Sequence, residues 1–363
     1  MKQKLLELFS CVHCHNSDFS LVNASFNENE IRDGEIQCNR CRSIYFIKDG
    51  ILDLLIDIKE NIVEEQSGNL EHFKNVLKNI SKYNPNIYND IYSNEWCYLE
   101  PLLLIDGNVF GHEILAVFEE AIKYVNIDEK TVILDLGTGS CWTTNRLSKL
   151  SDNVIALDIN TLPYIGLKSF ELHTKQNDTY YERILVDCNE GLPIKGKSVD
   201  LVFISASLHH FLNPVFVLDE IRRVLKNDGL ILGIREPICG TFEKDSKFHK
   251  NAREREKSIE KAYSLRSYRH ILRQGGYDIK VKIKYLQELI QNLEPSELAR
   301  RIYGDGSYPF KKISNIGRLM ISLLHIIRPF FESLFFKLLV YFGGNVDRFK
   351  FFTFIYVAYP VKR

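Results

Sequence analysis

The segment TVILDLGTGSCW, at residues 131–142, decides the fold of this chain. Its apolar first half predicts a short buried strand, and the two glycines predict a tight turn where that strand ends. A helix is predicted over 142–150, and NVIALD at 153–158 predicts the next strand. Strand, helix and strand in this order are typical of a βαβ unit in a parallel sheet.

The pattern continues on both sides of this unit. Apolar residues at helical spacing begin at residue 111, and further strands are predicted at 183–186, 199–205 and 230–234, with helical stretches between them. Near the C-terminal end, apolar residues alternate with lysines over 277–285, and 351–359 is apolar, so both segments are predicted to be strands. The sequence therefore predicts an α/β protein with a doubly wound, Rossmann-like parallel sheet.

The glycine turn predicts a nucleoside-binding site. Asp158 ends the second strand 19 residues after Gly139, where an acidic side chain can hold ribose hydroxyls. This spacing alone does not separate a dinucleotide from S-adenosylmethionine. Dinucleotide sites use G-x-G-x-x-G, and the position of the third glycine is Trp142 here, which disfavours NAD.

Several later motifs follow in a recognisable order. DLGTGSC at 135–141 is followed by DCNEGLP at 187–193, SVDLVF at 198–203 and LHHF at 208–211. Together they resemble class I S-adenosylmethionine-dependent methyltransferases, closest to the small-molecule branch that includes quinone-biosynthesis enzymes. The resemblance implies a seven-stranded sheet, in which 277–285 and 351–359 are strands six and seven. Residues 286–347 would then be a helical insertion before the last strand.

The same resemblance implies a cofactor site. In that family, the acidic residue and glycine loop hold the methionine end, the next acidic residue holds the ribose, and the third motif flanks the adenine. The residues implied here are Asp135, Gly137, Thr138, Gly139, Asp158, Ile159, Asp187, Cys188 and Ser205. Cys141 replaces the last glycine of the family's loop and places a side chain where the family has none.

Two adjacent histidines, His209 and His210, are the candidate catalytic residues. An imidazole titrates near neutral pH, so one of them can act as a general base toward an oxygen or nitrogen nucleophile. The alternative is that both shape the cofactor pocket or satisfy backbone groups. Methyl transfer itself depends mainly on alignment of the nucleophile, so both interpretations stay open.

Two CxxC pairs precede the sheet. Cys11, Cys14, Cys38 and Cys41 offer four thiolates, the donor set that zinc prefers in structural sites. Four unrelated buried cysteines and a redox-active pair are the alternatives. The stretch YFIKDGILDLL at 45–55 follows, and this order resembles the zinc-ribbon family of the tRNA-methyltransferase activator subunit. We therefore expect a structural Zn²⁺ in a ribbon that can contact a protein partner.

These features predict three regions. A zinc ribbon spans 1–58, an Asn-rich helical linker spans 59–110, and the methyltransferase domain spans 111–363. The apolar run at 319–342 is interrupted by charged residues, so no transmembrane segment is expected. Capping helices, a lid over an apolar substrate and a peripheral membrane contact are the alternatives there. The first ten residues do not resemble a signal peptide, so a cytoplasmic location is expected.

The charge composition limits the partners. Lys and Arg total 47, as do Asp and Glu, so nucleic-acid binding is disfavoured globally. Residues 244–284 nevertheless hold 13 Lys/Arg against five Asp/Glu, which keeps an RNA methyltransferase open as an alternative. The leading hypothesis is a methyltransferase for a small-molecule or lipid- or sugar-linked acceptor. A non-catalytic interaction module with this fold is the third hypothesis.

Overall fold

A computed structural model describes most of the two predicted domains. It covers residues 1–27, 29–55, 60, 62–64, 66–68, 70–71, 109–162, 165–177, 179–239, 261, 263–285 and 352–361. The predicted insertion at 286–347, most of the linker and much of the basic stretch lie outside the described residues. No helix within these ranges is long and apolar enough to cross a membrane.

The described elements alternate between strands and helices after an all-β start. The strands are β1 Phe19–Asn27, β2 Glu30–Cys38, β3 Ile44–Lys48, β4 Ile51–Asp53, β5 Val132–Leu136, β6 Asn153–Asp158, β7 Glu182–Leu185, β8 Val199–Ser205, β9 Leu225–Ile234, β10 Ile238–Cys239, β11 Tyr263–Ser264, β12 Tyr277–Tyr285 and β13 Phe352–Pro360. The helices are α1 Val109–Ile122, α2 Trp142–Leu147, α3 Phe170–Asn177, α4 Pro214–Val224 and α5 Leu265–Gln274.

One sheet carries eleven of these strands, in the order β1-β2-β3-β4-β7-β6-β5-β8-β9-β13-β12. The segment from β7 to β9 is parallel, and β13 lies antiparallel between β9 and β12. The predicted Rossmann-like arrangement of seven strands is therefore confirmed. The ribbon continues this sheet through its four strands, a connection that the sequence analysis did not foresee.

The two faces of the sheet carry separate apolar cores, because successive strand residues point to opposite faces. On β5, Ile133 packs with Val117 and Phe118 of α1, whereas Leu134 packs on the other face with residues of α4 and α5. Helices thus cover both faces, as a doubly wound fold requires. The amphipathic spacing predicted for the helix before β5 is confirmed.

Hydrogen bonds between backbones join the ribbon to the sheet. Strand β4 pairs in parallel with β7, and Leu54 N–H donates to Leu185 O at 2.9 Å. Farther along the junction, Ser10 N–H donates to Pro193 O at 2.9 Å and Lys195 N–H donates to Leu8 O at 2.8 Å. Since β7 would otherwise present unpaired backbone groups, the ribbon covers a sheet edge.

Buried charges reinforce the same junction. Arg183 on β7 is 1% exposed, and its guanidinium lies 2.8 Å from Glu30 Oε1. The Met1 amino group donates to the same oxygen at 2.8 Å. On the other side, Glu182 accepts from Lys2 N–H, and burial raises its pKa to about 7. The ribbon and the sheet therefore share one network of charges.

The start of β9, where it pairs with the start of β8, differs from the predicted pattern. A strand is predicted at 230–234, whereas β9 begins five residues earlier, at Leu225. Leu225 and Leu230 pair with Val199 and Leu201, so the residues between them bulge out of the ladder. Residues 226–229 thus form an irregularity inside β9.

Candidate functional site

The glycine loop follows β5 and adopts a left-handed backbone at both glycines. Gly137 has φ +67° and Gly139 has φ +53°. A side chain at Gly137 would collide with Ser207, whereas one at Gly139 would meet nothing within 4 Å. Gly137 is therefore required by close packing, and Gly139 borders open space at the end of the strand.

Asp135 lies beneath this loop and is fully buried. Its Oδ2 accepts hydrogen bonds from Thr143 Oγ1 at 2.8 Å and Thr144 Oγ1 at 2.7 Å, while Oδ1 has no hydrogen-bond partner. Burial raises the pKa of Asp135 to about 6, against the two hydroxyls that lower it. This carboxylate is supported by neutral donors and has a remaining lone-pair site.

Asp158 at the end of β6 accepts hydrogen bonds from both the glycine loop after β5 and the segment after β6. Its Oδ2 accepts from Gly139 N–H at 2.8 Å, and its Oδ1 accepts from Asn160 N–H at 2.8 Å. Gly137 N–H donates to Leu157 O at 2.8 Å, which fixes the other side of the loop. The predicted methionine-end and ribose residues therefore meet at one point of the sheet edge.

Cys141, where the resembling family has glycine, also has a left-handed backbone, with φ +59°. Its side chain is buried, with Sγ 3.3 Å from Thr138 Oγ1 and 3.8 Å from Gly166 O. Burial raises its pKa to about 12, so the thiol is neutral at physiological pH. The side chain thus contacts the underside of the loop.

The remaining predicted cofactor residues lie along the same edge. Asp187 is buried beside Cys188, and its Oδ1 accepts from the backbone of Asn189 at 2.9 Å. Val186 N–H donates to Asp158 O, which connects this segment to β6. Ile159 follows β6, and Ser205 ends β8 on the other side of β5. All of them stay predictions as cofactor ligands.

A buried carboxylate that the sequence analysis did not single out lies next to the two histidines. Glu236 Oε2 is 2.8 Å from His209 Nδ1, and the ring centroids of His209 and His210 are 4.3 Å apart. His209 is 4% exposed, and His210 is partly exposed. Glu236 lies two residues after β9, at the carboxyl end of a parallel strand. Because ligand-binding residues are common at that edge of the sheet, this position in the sequence could have identified Glu236 as a candidate site residue.

The four ribbon cysteines converge as predicted. Their Sγ atoms all lie within 4.8 Å of one another, with Cys11 to Cys41 and Cys14 to Cys38 both at 3.5 Å. A tetrahedral zinc–thiolate site requires sulfur separations of about 3.8 Å. Tyr45 OH lies 3.0 Å from Cys11 Sγ and supports the cluster. This cluster can hold a metal ion.

Two family models match separate parts of the chain. Residues 134–233 match a model described as a methyltransferase domain, and residues 2–50 match a model described as Trm112p-like protein. The first covers β5 to β9 and the candidate site. The second covers the cysteine cluster and the first three strands.

A curated relative is similar over part of the methyltransferase region. Malonyl-[acyl-carrier protein] O-methyltransferase of Marinomonas sp. (strain MWYL1) is 32% identical over 121 residues. The match covers 32% of this chain and 42% of that relative. The chain therefore matches less than half the length of this curated protein.

Solved structures are similar at low sequence identity. The YcgJ protein from Bacillus subtilis is 14% identical with a TM-score of 0.44, covering 68% of this chain and 99% of that one. A chain from a complex containing the Haloferax volcanii Trm112 methyltransferase activator is 18% identical with a TM-score of 0.43, covering 71% and 95%. The family models are the more specific finding: this chain joins a Trm112p-like domain at residues 2–50 to a methyltransferase domain at residues 134–233.

Proposed function

We propose that the chain binds S-adenosylmethionine at the carboxyl ends of β5 and β6 and methylates a small-molecule or lipid- or sugar-linked acceptor. The observation that carries this proposal is the open space beside Gly139, whose backbone N–H donates to the Asp158 carboxylate. A Cβ at this left-handed glycine would meet no atom within 4 Å, so the backbone on that side can approach a ligand closely.

The residues at this edge fit the cofactor chemically. The unpartnered Oδ1 of Asp135 is a buried acceptor suited to the ammonium end, directly or through a water molecule. Asp158 already orients the loop through Gly139 N–H and, in our proposal, also accepts the ribose hydroxyls. Asp187 and Cys188 would lie against the adenine. When bound, the cofactor supplies an electrophilic methyl group on a sulfonium.

For the acceptor, sequence similarity supports only a general class. The curated relative is named for O-methylation of a malonyl group carried on a protein, which supports methyl transfer to a metabolite without identifying the acceptor atom in this chain. We place the acceptor over the ends of β8 and β9, where His209 lies. In this arrangement the chain contributes alignment of the nucleophile and, through His209, a group that can take a proton.

We also propose that the ribbon binds a structural Zn²⁺ and braces the methyltransferase domain. The support is the β4–β7 pairing and the buried contact between Glu30 and Arg183. In this proposal, the ribbon's first partner is the domain in its own chain. We assign the ribbon to 1–58, the linker to 59–110 and the methyltransferase domain to 111–363.

Calorimetric titration with S-adenosylmethionine and S-adenosylhomocysteine tests the proposed activity at its first step. The full zinc-loaded chain is compared with Asp158→Asn, which keeps the shape of the side chain but replaces one acceptor oxygen by a donor. Loss of hydrogen bonds to a charged group costs about 1.5–3 kcal/mol, so we expect affinity to fall about ten- to hundredfold.

Asp200→Asn is the matched control, because Asp200 makes the same kind of contact at the opposite edge of the sheet. It accepts from Val132 N–H at 2.9 Å and from Lys226 Nζ at 2.8 Å, at the amino ends of the strands. Its affinity for both ligands should equal that of wild type. Absence of binding by the folded, zinc-loaded wild type would reject the proposed function.

A further inference from the structure

The backbone of the loop that follows β8 is bound to the buried side chain of Glu236. This side chain is 0% exposed, and its Oε1 accepts from Ser207 N–H at 3.0 Å and Leu208 N–H at 2.8 Å. Its Oε2 accepts from His209 N–H at 3.3 Å and from Tyr268 OH at 3.4 Å. Three consecutive backbone amides of one loop thus donate to a single carboxylate from the segment after β9.

The two segments that meet here have unusual backbone conformations. Ala206 has φ +51° and Arg235 has φ +61°, although neither is a glycine. Ala206 N–H donates to Ile234 O at 2.9 Å, so the two residues lie at the adjoining ends of β8 and β9. Left-handed residues of this kind persist where the surrounding contacts fix them, and they are frequent at functional sites.

Ser207 connects this loop to the glycine loop. Its Oγ donates to Leu136 O at 2.6 Å, and a Cβ at Gly137 would lie 2.6 Å from Ser207 Cβ. Ser207 is 4% exposed, so both contacts are buried. Its N–H is therefore bound to Glu236, while its side chain contacts the start of the glycine loop.

The glycine loop is thus supported from two sides. On the side of β6, Gly137 N–H donates to Leu157 O and Gly139 N–H donates to Asp158 Oδ2, both at 2.8 Å. On the side of β8, the support is Ser207. Two successive hydrogen bonds, through the N–H and the Oγ of this serine, connect Glu236 to the backbone before Gly137.

We infer that Glu236 is a positioning residue for the proposed cofactor site and acts through Ser207 on the glycine loop. The inference rests on the proposed function, because it assigns the position of this loop to cofactor binding. Glu236 itself does not contact the cofactor in this arrangement. A loop that is held in its binding conformation binds more tightly than one that adopts it only part of the time.

Calorimetric titration with S-adenosylmethionine compares two variants of Glu236 in the full zinc-loaded chain. Glu236→Met removes both acceptor oxygens, so the loop after β8 is no longer held and we expect affinity to fall about tenfold. Glu236→Gln has no charge but can direct its carbonyl oxygen to Ser207 and Leu208, so its affinity should stay within about threefold of wild type. If Glu236 instead acted by attracting the cofactor through its charge, both variants would weaken binding equally.

A double-mutant cycle tests whether the effect passes through Ser207. Ser207→Ala keeps the backbone N–H but loses one neutral hydrogen bond to Leu136 O, which should weaken binding about fivefold. If Glu236 acts through Ser207, the double variant should be about tenfold weaker than wild type, whereas independent effects would multiply to about fiftyfold. Glu236→Asp, whose side chain is one methylene shorter, replaces Glu236→Met in the cycle if the latter does not fold.

NMR of the glycine loop tests the same connection without any cofactor. The sequence contains two Leu–Gly pairs, at 136–137 and 232–233, so leucine labelled with ¹³C at the carbonyl and ¹⁵N-glycine give two coupled amide signals. Leu232→Ile removes one coupling and identifies the signal of Gly137. We expect this signal to be displaced in Glu236→Met and to lie close to its wild-type position in Glu236→Gln.

Glu182→Gln is the matched control, because Glu182 is a buried glutamate at the ribbon junction, where it accepts from Lys2 N–H. It should change neither the Gly137 signal nor the affinity. The inference would be overturned, with the cofactor site left standing, by multiplying losses, by equal losses in Glu236→Met and Glu236→Gln, or by an undisplaced Gly137 signal in folded Glu236→Met. No binding by folded wild type would overturn both the inference and the proposed function.

Discussion

Two carboxylates, Glu30 at the ribbon junction and Asp135 below the glycine loop, have pKa values that are shifted in opposite directions. Burial alone would raise the pKa of Glu30, but the Met1 ammonium, Arg183 and Arg32 outweigh it and the pKa is lowered. Asp135 is supported by two threonine hydroxyls, and burial raises its pKa to about 6. The Glu30 carboxylate is thus stabilised by neighbouring cations at the ribbon junction. The Asp135 carboxylate has only neutral hydrogen-bond donors, so its charged form lowers the stability of the fold, as is common in ligand-binding sites.

The largest expected loss of stability comes from disrupting the ribbon's cysteine cluster, because the ribbon must be folded to pair with β7. Cys38→Ser removes one of four converging thiolates, and structural zinc contributes on the order of 10 kcal/mol to the folding of small domains. We expect the bound zinc to fall from one ion per chain to none. The thermal midpoint should also fall, because the β7 edge loses its cover.

Elemental analysis and thermal unfolding of the purified variant measure both effects. Cys141→Gly is the control, because Cys141 lies outside the cluster and should keep one zinc per chain. A Cys38→Ser chain that retains stoichiometric zinc would contradict the four-cysteine site. A zinc-free chain with an unchanged thermal midpoint would contradict the bracing role of the ribbon.

A smaller effect is expected when only the charge network of the junction is broken. Arg183→Met removes the buried cation and leaves Glu30 beside β7 without it, which should cost about 3 kcal/mol of unfolding free energy. The guanidinium also lies 3.7 Å from the centroid of the Phe170 ring, a contact that methionine retains only in part. Urea unfolding at neutral pH measures the loss.

Arg32→Met is the matched control for that variant. Arg32 is 26% exposed, and its three ion pairs span 3.4–3.8 Å, so its removal should cost less than about 1 kcal/mol. Equal losses in the two variants would mean that burial does not distinguish the two arginines. The junction would then be no more than a surface contact.

At the glycine loop the corresponding change should stabilise the protein. A carboxyl whose native pKa is raised contributes stability below its unfolded pKa of about 4, and this contribution is lost as pH rises through about 6. Asp135→Asn removes the ionisable proton. It should therefore gain about 3 kcal/mol over wild type at pH 8, and the gain should shrink toward pH 5.

Urea unfolding of zinc-loaded Asp135→Asn and zinc-loaded wild type, at pH 8 and at pH 5, measures this difference. Titration with S-adenosylmethionine should show weaker binding by Asp135→Asn, since the proposed ammonium ligand has lost its charge. A variant that is less stable than wild type at pH 8 would show that Asp135 is structural. The contrast with Glu30 would then fail.

Features of these regions that depend on local interactions were predictable from the sequence, whereas those that depend on contacts between distant residues were not. The β5–loop–α2 unit and the order of Asp135, Gly139 and Asp158 were predictable, because local periodicity and a strand-end rule determine them. The cysteine cluster was predictable from spacing. The β4–β7 pairing was not, since neither strand's sequence indicates which edge it joins. Glu236 was missed because its partners lie 27–32 residues away.

The smallest effect is expected at Cys141, where the sequence departs from the resembling family. Cys141→Gly relieves a left-handed backbone that costs a side-chain-bearing residue about 1–2 kcal/mol. It also removes a buried thiol and adds backbone freedom to the unfolded chain, which together cost a similar amount. We therefore expect a change in unfolding free energy within about 1 kcal/mol, measured by urea unfolding.

Cofactor affinity is the sharper measurement at this position. The thiol contacts Thr138 and the carbonyl of Gly166, whereas the open space lies beside Gly139, so Cys141→Gly should bind S-adenosylmethionine as wild type does. Cys141→Val is the matched variant, because a β-branched side chain is strongly disfavoured at positive φ and should destabilise the loop. A tenfold gain in affinity for S-adenosylmethionine in Cys141→Gly would mean that the thiol obstructs the proposed cofactor site at the glycine loop. In that case the loop, like the junction, would be built for stability at the expense of binding.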